Sequence, residues 1–174
     1  MDIPFDIEKV QIIVYHSNSH QTLYYCEEYP NELSISGFDC LVPFGISKSC
    51  HDGYKHCIYG MIPTFAKNDE FENFRETYNQ LHMRCKKHLY ETIGNRSIVK
   101  KFRYSIEPSE DGYGIELGID ENTILKYFSG ERANIEDLKE KRFTIYIKKI
   151  RIANIVVYRY FSRISLVIVE AEIN

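Results

Sequence analysis

The chain has 174 residues, of which 44% are hydrophobic and 27% charged, with a formal net charge of −3. This composition is far from the low-hydrophobicity range of disordered chains, and the sequence pI of about 6.1 is not that of a strongly basic, dedicated nucleic-acid-binding domain. With no low-complexity stretch and no Pro/Gly/Ser-rich linker, residues 1–174 are expected to form a single domain.

Met1-Asp2-Ile3-Pro4 is acidic and leads into no apolar run, so no secretory leader is expected. The longest apolar candidate, Ile164 to Val169, is interrupted by Ser165 and is far shorter than the ~20 residues of a membrane helix. A soluble, cytoplasmic protein without a membrane partner is the expectation. Five cysteines, an odd number in no small-scaffold pattern, point to reduced thiols. There are 14 Tyr against 10 Phe and no Trp. A tyrosine ring with a polar tip suits half-exposed surfaces and interfaces, although strands also collect Tyr by propensity.

In chain order, Val10, Ile12 and Val14 alternate and predict a first strand. After Ser17-Asn18-Ser19, Thr22 to Tyr25 is rich in β-formers, and Leu33 to Ser36 follows Pro30-Asn31, so the opening reads as an antiparallel meander. Pro43 to Gly53 reads as a loop leading to a strand at about Lys55 to Ile62.

A helix is predicted over about 70–93. Phe71, Phe74, Tyr78, Leu81, Cys85, Leu89 and Ile93 recur at spacings of three and four, Asp69 and Glu72 form a capping-box-like start, and Gly94 is placed to end it. Phe102, Tyr104 and Ile106, then Tyr113, Ile115, Leu117 and Ile119, predict a hairpin turning at Pro108 to Gly112. Asp120 to Phe128 is expected to be a short helix ended by Gly130, and Ile135 to Lys141 a second helical turn. Strands are expected at Phe143 to Ile147, Ile155 to Phe161 and Leu166 to Val169, with turns at Ala153-Asn154 and Ser162-Arg163. The fold class is α+β: a largely antiparallel β-sheet, one long amphipathic helix (about 70–93) packed on a face, and one or two short helices.

All six His and five Cys fall within the first 88 residues. Cys50, His51, His56 and Cys57, together with His82, Cys85 and His88 at helical spacings of three, form a candidate zinc-ligand set, because zinc takes four nitrogen or sulfur ligands in a tetrahedron. Adjacent Cys50 and His51 do not readily turn toward one ion, and Cys85 belongs to the apolar stripe, so no cofactor is the primary expectation and zinc the alternative. Gly37-Phe38-Asp39-Cys40 resembles the nucleophile segment of the NlpC/P60 cysteine peptidases. Leu41 stands where that pattern has a small residue, and no helix follows Cys40, so the expected role of Cys40 is packing. No Gly-rich phosphate loop is present.

Between Lys141 and Arg163 there are seven basic residues and no acidic one. Lys148, Lys149, Arg151, Tyr158, Arg159, Tyr160 and Arg163 form the candidate binding set, since cations interleaved with aromatics serve phosphate attraction and base stacking. Such residues also make an ordinary solvated strand face. No catalytic residues are assigned. The function expected first is a non-enzymatic binding or inhibitory accessory protein, of the phage, viral or immunity type, that covers a protein partner's surface. The alternatives are a nucleic-acid-binding module on the C-terminal sheet, and a zinc- or thiol-dependent enzyme using the N-terminal Cys/His set. A second copy of the chain is a further candidate partner.

Overall fold

A computed structural model describes residues 10–17, 20–25, 32–48, 55–63, 69–93, 101–157 and 162–174. In chain order the elements are strands β1 (Val10–Ser17), β2 (His20–Tyr25), β3 (Glu32–Val42) and β4 (His56–Pro63), helix α1 (Asp69–Ile93), then β5 (Phe102–Arg103), β6 (Ile106–Ser109), β7 (Gly112–Ile119) and β8 (Ile124–Tyr127). A 3-10 turn (Ile135–Leu138) leads into β9 (Phe143–Val157) and β10 (Ser162–Ile173). The class is α+β, with one long helix packed on a largely antiparallel sheet. Among the described residues, no helix is long and apolar enough to cross a membrane.

The strand path runs β1-β2-β9-β3-β4-β7-β10-β5, and β9 also pairs with β10. That extra pairing closes a ring, β9-β3-β4-β7-β10 and back to β9. Strands around a ring of five cannot all be antiparallel to both neighbours, because the number is odd, so one joint must be parallel. It is β7 with β10, bridged at Val167 and Gly118. Register shifts in β10 between Ser165 and Leu166 and around Glu170, and in β3 between Ser34 and Phe38, mark bulges that bend long strands around such a ring.

Inward-facing residues follow the period of two. Phe38, Cys40 and Val42 of β3, Ile58 and Ile62 of β4, Ile115, Leu117 and Ile119 of β7, and Ile145, Ile147 and Ile150 of β9 are all buried. The step from Ile147 to Ile150 is where a bulge shifts the alternation. The apolar stripe of α1 joins the same core, with the Phe38 ring 5.1 Å from Phe71 and 5.7 Å from Phe74.

Several sequence expectations change in three dimensions. β2 and β3 both pair with β9 rather than with each other, so the opening is not a meander. The final third holds two long strands, β9 running unbroken through Ala153-Asn154 and β10 already paired with β9 at Ser162 and Arg163, so neither predicted turn is there. The predicted hairpin is β6–β7, with Pro108 inside β6 opposite Tyr113, while β5 separates to pair with β10. Asp120 to Phe128 is not a helix. The Asp120 side chain accepts from Asn122 N at 2.9 Å and Thr123 Oγ1 donates to the Ile168 carbonyl at 2.7 Å, making a turn that feeds β8 alongside β10. The second helical turn is a 3-10 turn capped by Asn134 and stopped before Glu140, whose φ is +56°. Gly45, at φ +71°, passes so close to this segment that an added Cβ would sit 2.6 Å from Leu138 O and Glu140 N.

Because Phe38 joins the ring core to α1 and is 1% exposed, Phe38→Ala should destabilise the protein by about 3–5 kcal/mol, read as a lower urea midpoint at unchanged m-value.

Candidate functional site

On β9 and β10, three cations of the predicted binding set, Lys148, Arg151 and Arg163, are each met by an acid from a neighbouring element. Arg163 donates two hydrogen bonds to Glu116, at 2.7 and 3.1 Å. Arg151 pairs with Asp120, and Lys148 with Glu172, with Glu170 at 3.8 Å. Lys149 is half-buried on β9, whereas Tyr158, Arg159 and Tyr160 lie outside the described residues. The basic run is therefore not a bare cationic patch where it is described. Its counter-charges lie some 20 to 50 residues away in sequence and arrive through strand pairing.

Beside the Arg163–Glu116 pair is a cleft of about 250 Å³ lined by Tyr59, Arg103, Tyr104, Ser105, Glu107, Gly114, Glu116 and Arg163. Tyr59, on β4 opposite Glu116, lays its ring over Gly114; a Cβ there would come within 2.0 Å of the Tyr59 hydroxyl oxygen. Gly114 therefore provides space for the ring, not an unusual backbone conformation. The other aromatic wall, Tyr104, is braced from behind. Its ring stacks on His82 at 3.7 Å with an interplanar angle of 9°, while Ser105 N donates to Tyr78 Oη at 2.7 Å and Ser105 Oγ donates to the Ile164 carbonyl. Tyr59 and Tyr104 are 42% and 41% exposed, so each presents an accessible face. A second hollow, about 360 Å³ and lined in part by His56, Asp120 and Ile135, is less well built as a recognition site, since Asp120 is already committed to Arg151 and to its own turn.

The Cys and His candidates separate. Cys50 and His51 lie outside the described residues. His56 and Cys57 are neighbours on β4 and so face opposite ways, Cys57 into buried space. On α1, His82 and Cys85 are in the core, and His88 is half-buried. Burial pushes the Cys85 thiol up to about 12 and that of Cys40 up to about 12, the latter with help from Asp39, so both stay protonated rather than becoming the thiolates that ligation or nucleophilic attack needs. Among the described residues, no group of three or more His, Cys, Asp or Glu could hold a metal ion.

No protein-family model matches the chain, and no curated protein matches its sequence. Of the sequence-derived candidates among the described residues, Arg163 alone lines the cleft. Tyr59, Tyr104, Glu107 and Glu116 are outside the candidate binding set; the Tyr excess points toward the two tyrosines, and the acidic stretch Glu107 to Glu121 contains the two glutamates.

Two outcomes follow from this geometry. Removing the carboxylate in Glu116→Ala leaves the Arg163 guanidinium, 11% exposed at its side chain, without its bidentate partner, and should cost on the order of 3 kcal/mol in chemical denaturation. His82 is 1% exposed, and burial, aided by Lys86, lowers its pKa from 6.5 to about 4. The unfolded chain therefore takes up the proton first as pH falls. Stability should be lost progressively between about pH 6.5 and 4, by roughly 3 kcal/mol from this group, and the loss should be absent in His82→Phe when unfolding is followed across that range.

Proposed function

We propose that this chain is a non-enzymatic binding protein that covers part of a partner protein's surface, using the Tyr59–Tyr104 cleft as its anchor point. The observation that carries this reading is the pair of half-exposed tyrosines held at a concave site beside a locked Arg–Glu pair. Tyrosine and arginine are the residue types over-represented where binding energy concentrates, and a wall fixed before binding loses little side-chain entropy on association. At about 250 Å³ the cleft is smaller than the ~300–1,000 Å³ of small-molecule sites and suits one protruding side chain of a larger partner.

The neighbouring chemistry supports binding over catalysis. Burial keeps Cys40 and Cys85 as thiols, away from nucleophile or ligand duty near neutral pH, and the lowered pKa of His82 takes that core ring away from proton transfer there. The paired cations on the C-terminal sheet weaken the electrostatic argument for nucleic acid, because Arg163, Arg151 and Lys148 already have carboxylate partners.

The test is affinity purification of the full chain from its own host alongside Tyr59→Ala and Glu107→Lys. These change one cleft wall and one exposed rim charge without opening the core. A protein partner retained by the wild type should be held about 10-fold or more weakly by each variant, with thermal midpoints close to wild type. Equal retention would move the contact elsewhere, and a nucleic-acid partner lost steeply with added salt would favour the alternative on the C-terminal sheet.

A further inference from the structure

A sheet edge displays unpaired N–H and C=O groups and accepts another strand unless it is covered or made unsuitable. Here nearly every edge is so treated. The five ring strands have a neighbour on each side. The outer edge of β8 is covered by the returning chain, with Tyr127 N bonded to Glu131 O at 2.7 Å and Ala133 N to Leu125 O at 2.9 Å. β6 is four residues long and contains Glu107 and Pro108, and β5 has only two residues.

Among the described strands, β1 is the exception. It is the terminal member of the strand path, eight residues long, and pairs along one side with β2 from Val10↔Tyr25 to Ser17↔His20. Among the described residues its other side pairs with nothing. The segment Val10-Gln11-Ile12-Ile13-Val14-Tyr15-His16-Ser17 contains no Asp, Glu, Lys or Arg and no Pro or Gly, so it carries none of the residues that discourage strand addition.

We infer that the outer edge of β1 pairs with β1 of a second copy of this chain, antiparallel about a two-fold axis near Ile13, joining two sheets into one. The occupant follows from symmetry and charge. In a two-fold pairing the same strand lies on both sides, so a charge near the axis would face its own copy, and like charges across a strand pair are destabilising. A partner strand of different sequence imposes no such restriction, because it can supply the opposite charge. A strand free of charge along its whole length, four of whose eight residues are β-branched Val or Ile, meets the requirement of self-pairing. This edge lies on β1, which contributes no residue to the lining of the cleft given by β4, β5, β6, β7 and β10, so the dimer and the binding site are independent.

Sedimentation velocity on the purified full chain, with no partner present, tests this. The wild type should sediment as a concentration-dependent dimer. Ile13→Lys and Ile13→Glu should each raise the dimer dissociation constant roughly 10-fold or more, an equimolar mixture of the two should recover dimer, and the uncharged Ile13→Thr should remain dimeric. Far-UV circular dichroism should be the same for all. A wild type that is monomeric up to its solubility limit overturns the inference and leaves the edge to a strand of another protein. A dimer insensitive to both charged variants also overturns it, by placing the interface elsewhere. Neither result bears on partner binding by Tyr59→Ala.

Discussion

Pairing between β9 and β10 is the interaction on which the other features depend. β9 carries β3 and β2 on one edge and β10 on the other, and the antiparallel register from Ser162↔Val157 to Ile173↔Ile145 brings the two ends of the β9-β3-β4-β7-β10 run together. Without it the sheet would be an open ribbon, with β3 and β7 joined only through β4. With it the five-strand ring closes, its odd number requires a parallel joint, and that joint, β7 with β10, sets Glu116 beside Arg163. A local property of two C-terminal strands thereby determines the geometry of a cleft built mostly from the middle of the chain.

The same pairing changes the meaning of charge. Along the sequence, residues 141–163 are a basic run without a single acid. Across strands, Glu170 and Glu172 stand next to Lys148, Asp120 reaches Arg151, and Glu116 forks onto Arg163. Sequence distance is a poor guide to electrostatic distance in a sheet of long-range pairings. The bulge between Ile147 and Ile150 adds to this by setting Lys148 and Arg151 on the acid-facing side, a phase shift that uninterrupted alternation would not produce.

Burial has a parallel effect on the Cys and His residues. Desolvation favours the uncharged form of each group, so Cys40 and Cys85 remain thiols and His82 remains a neutral ring. His82 contributes to the site indirectly, as the flat surface on which Tyr104 rests. Among the described residues its Nδ1 has no hydrogen-bond partner, and that desolvation cost accompanies a stacking geometry that holds one wall of the cleft in place.

The sequence by itself determined the elements whose signal is local. The spacing of Phe71, Phe74, Tyr78, Leu81, Cys85 and Leu89 placed α1 within a residue of its observed start, the alternation of Tyr113 to Ile119 placed β7, and the excess of strand patterns made the class α+β. Each depends on a side-chain period that neighbouring residues carry. Asp120 to Phe128 was misread because an Asx turn followed by four residues of strand resembles a capped helical turn until β10 supplies the pairing partner. Closure of the ring, pairing of the basic run, and the meeting of Tyr59 with Tyr104 and Arg163 were decided only by tertiary structure. Those features join residues tens of positions apart, and which strands lie side by side depends on the loop-closure entropy and burial of the whole chain rather than on any segment of it.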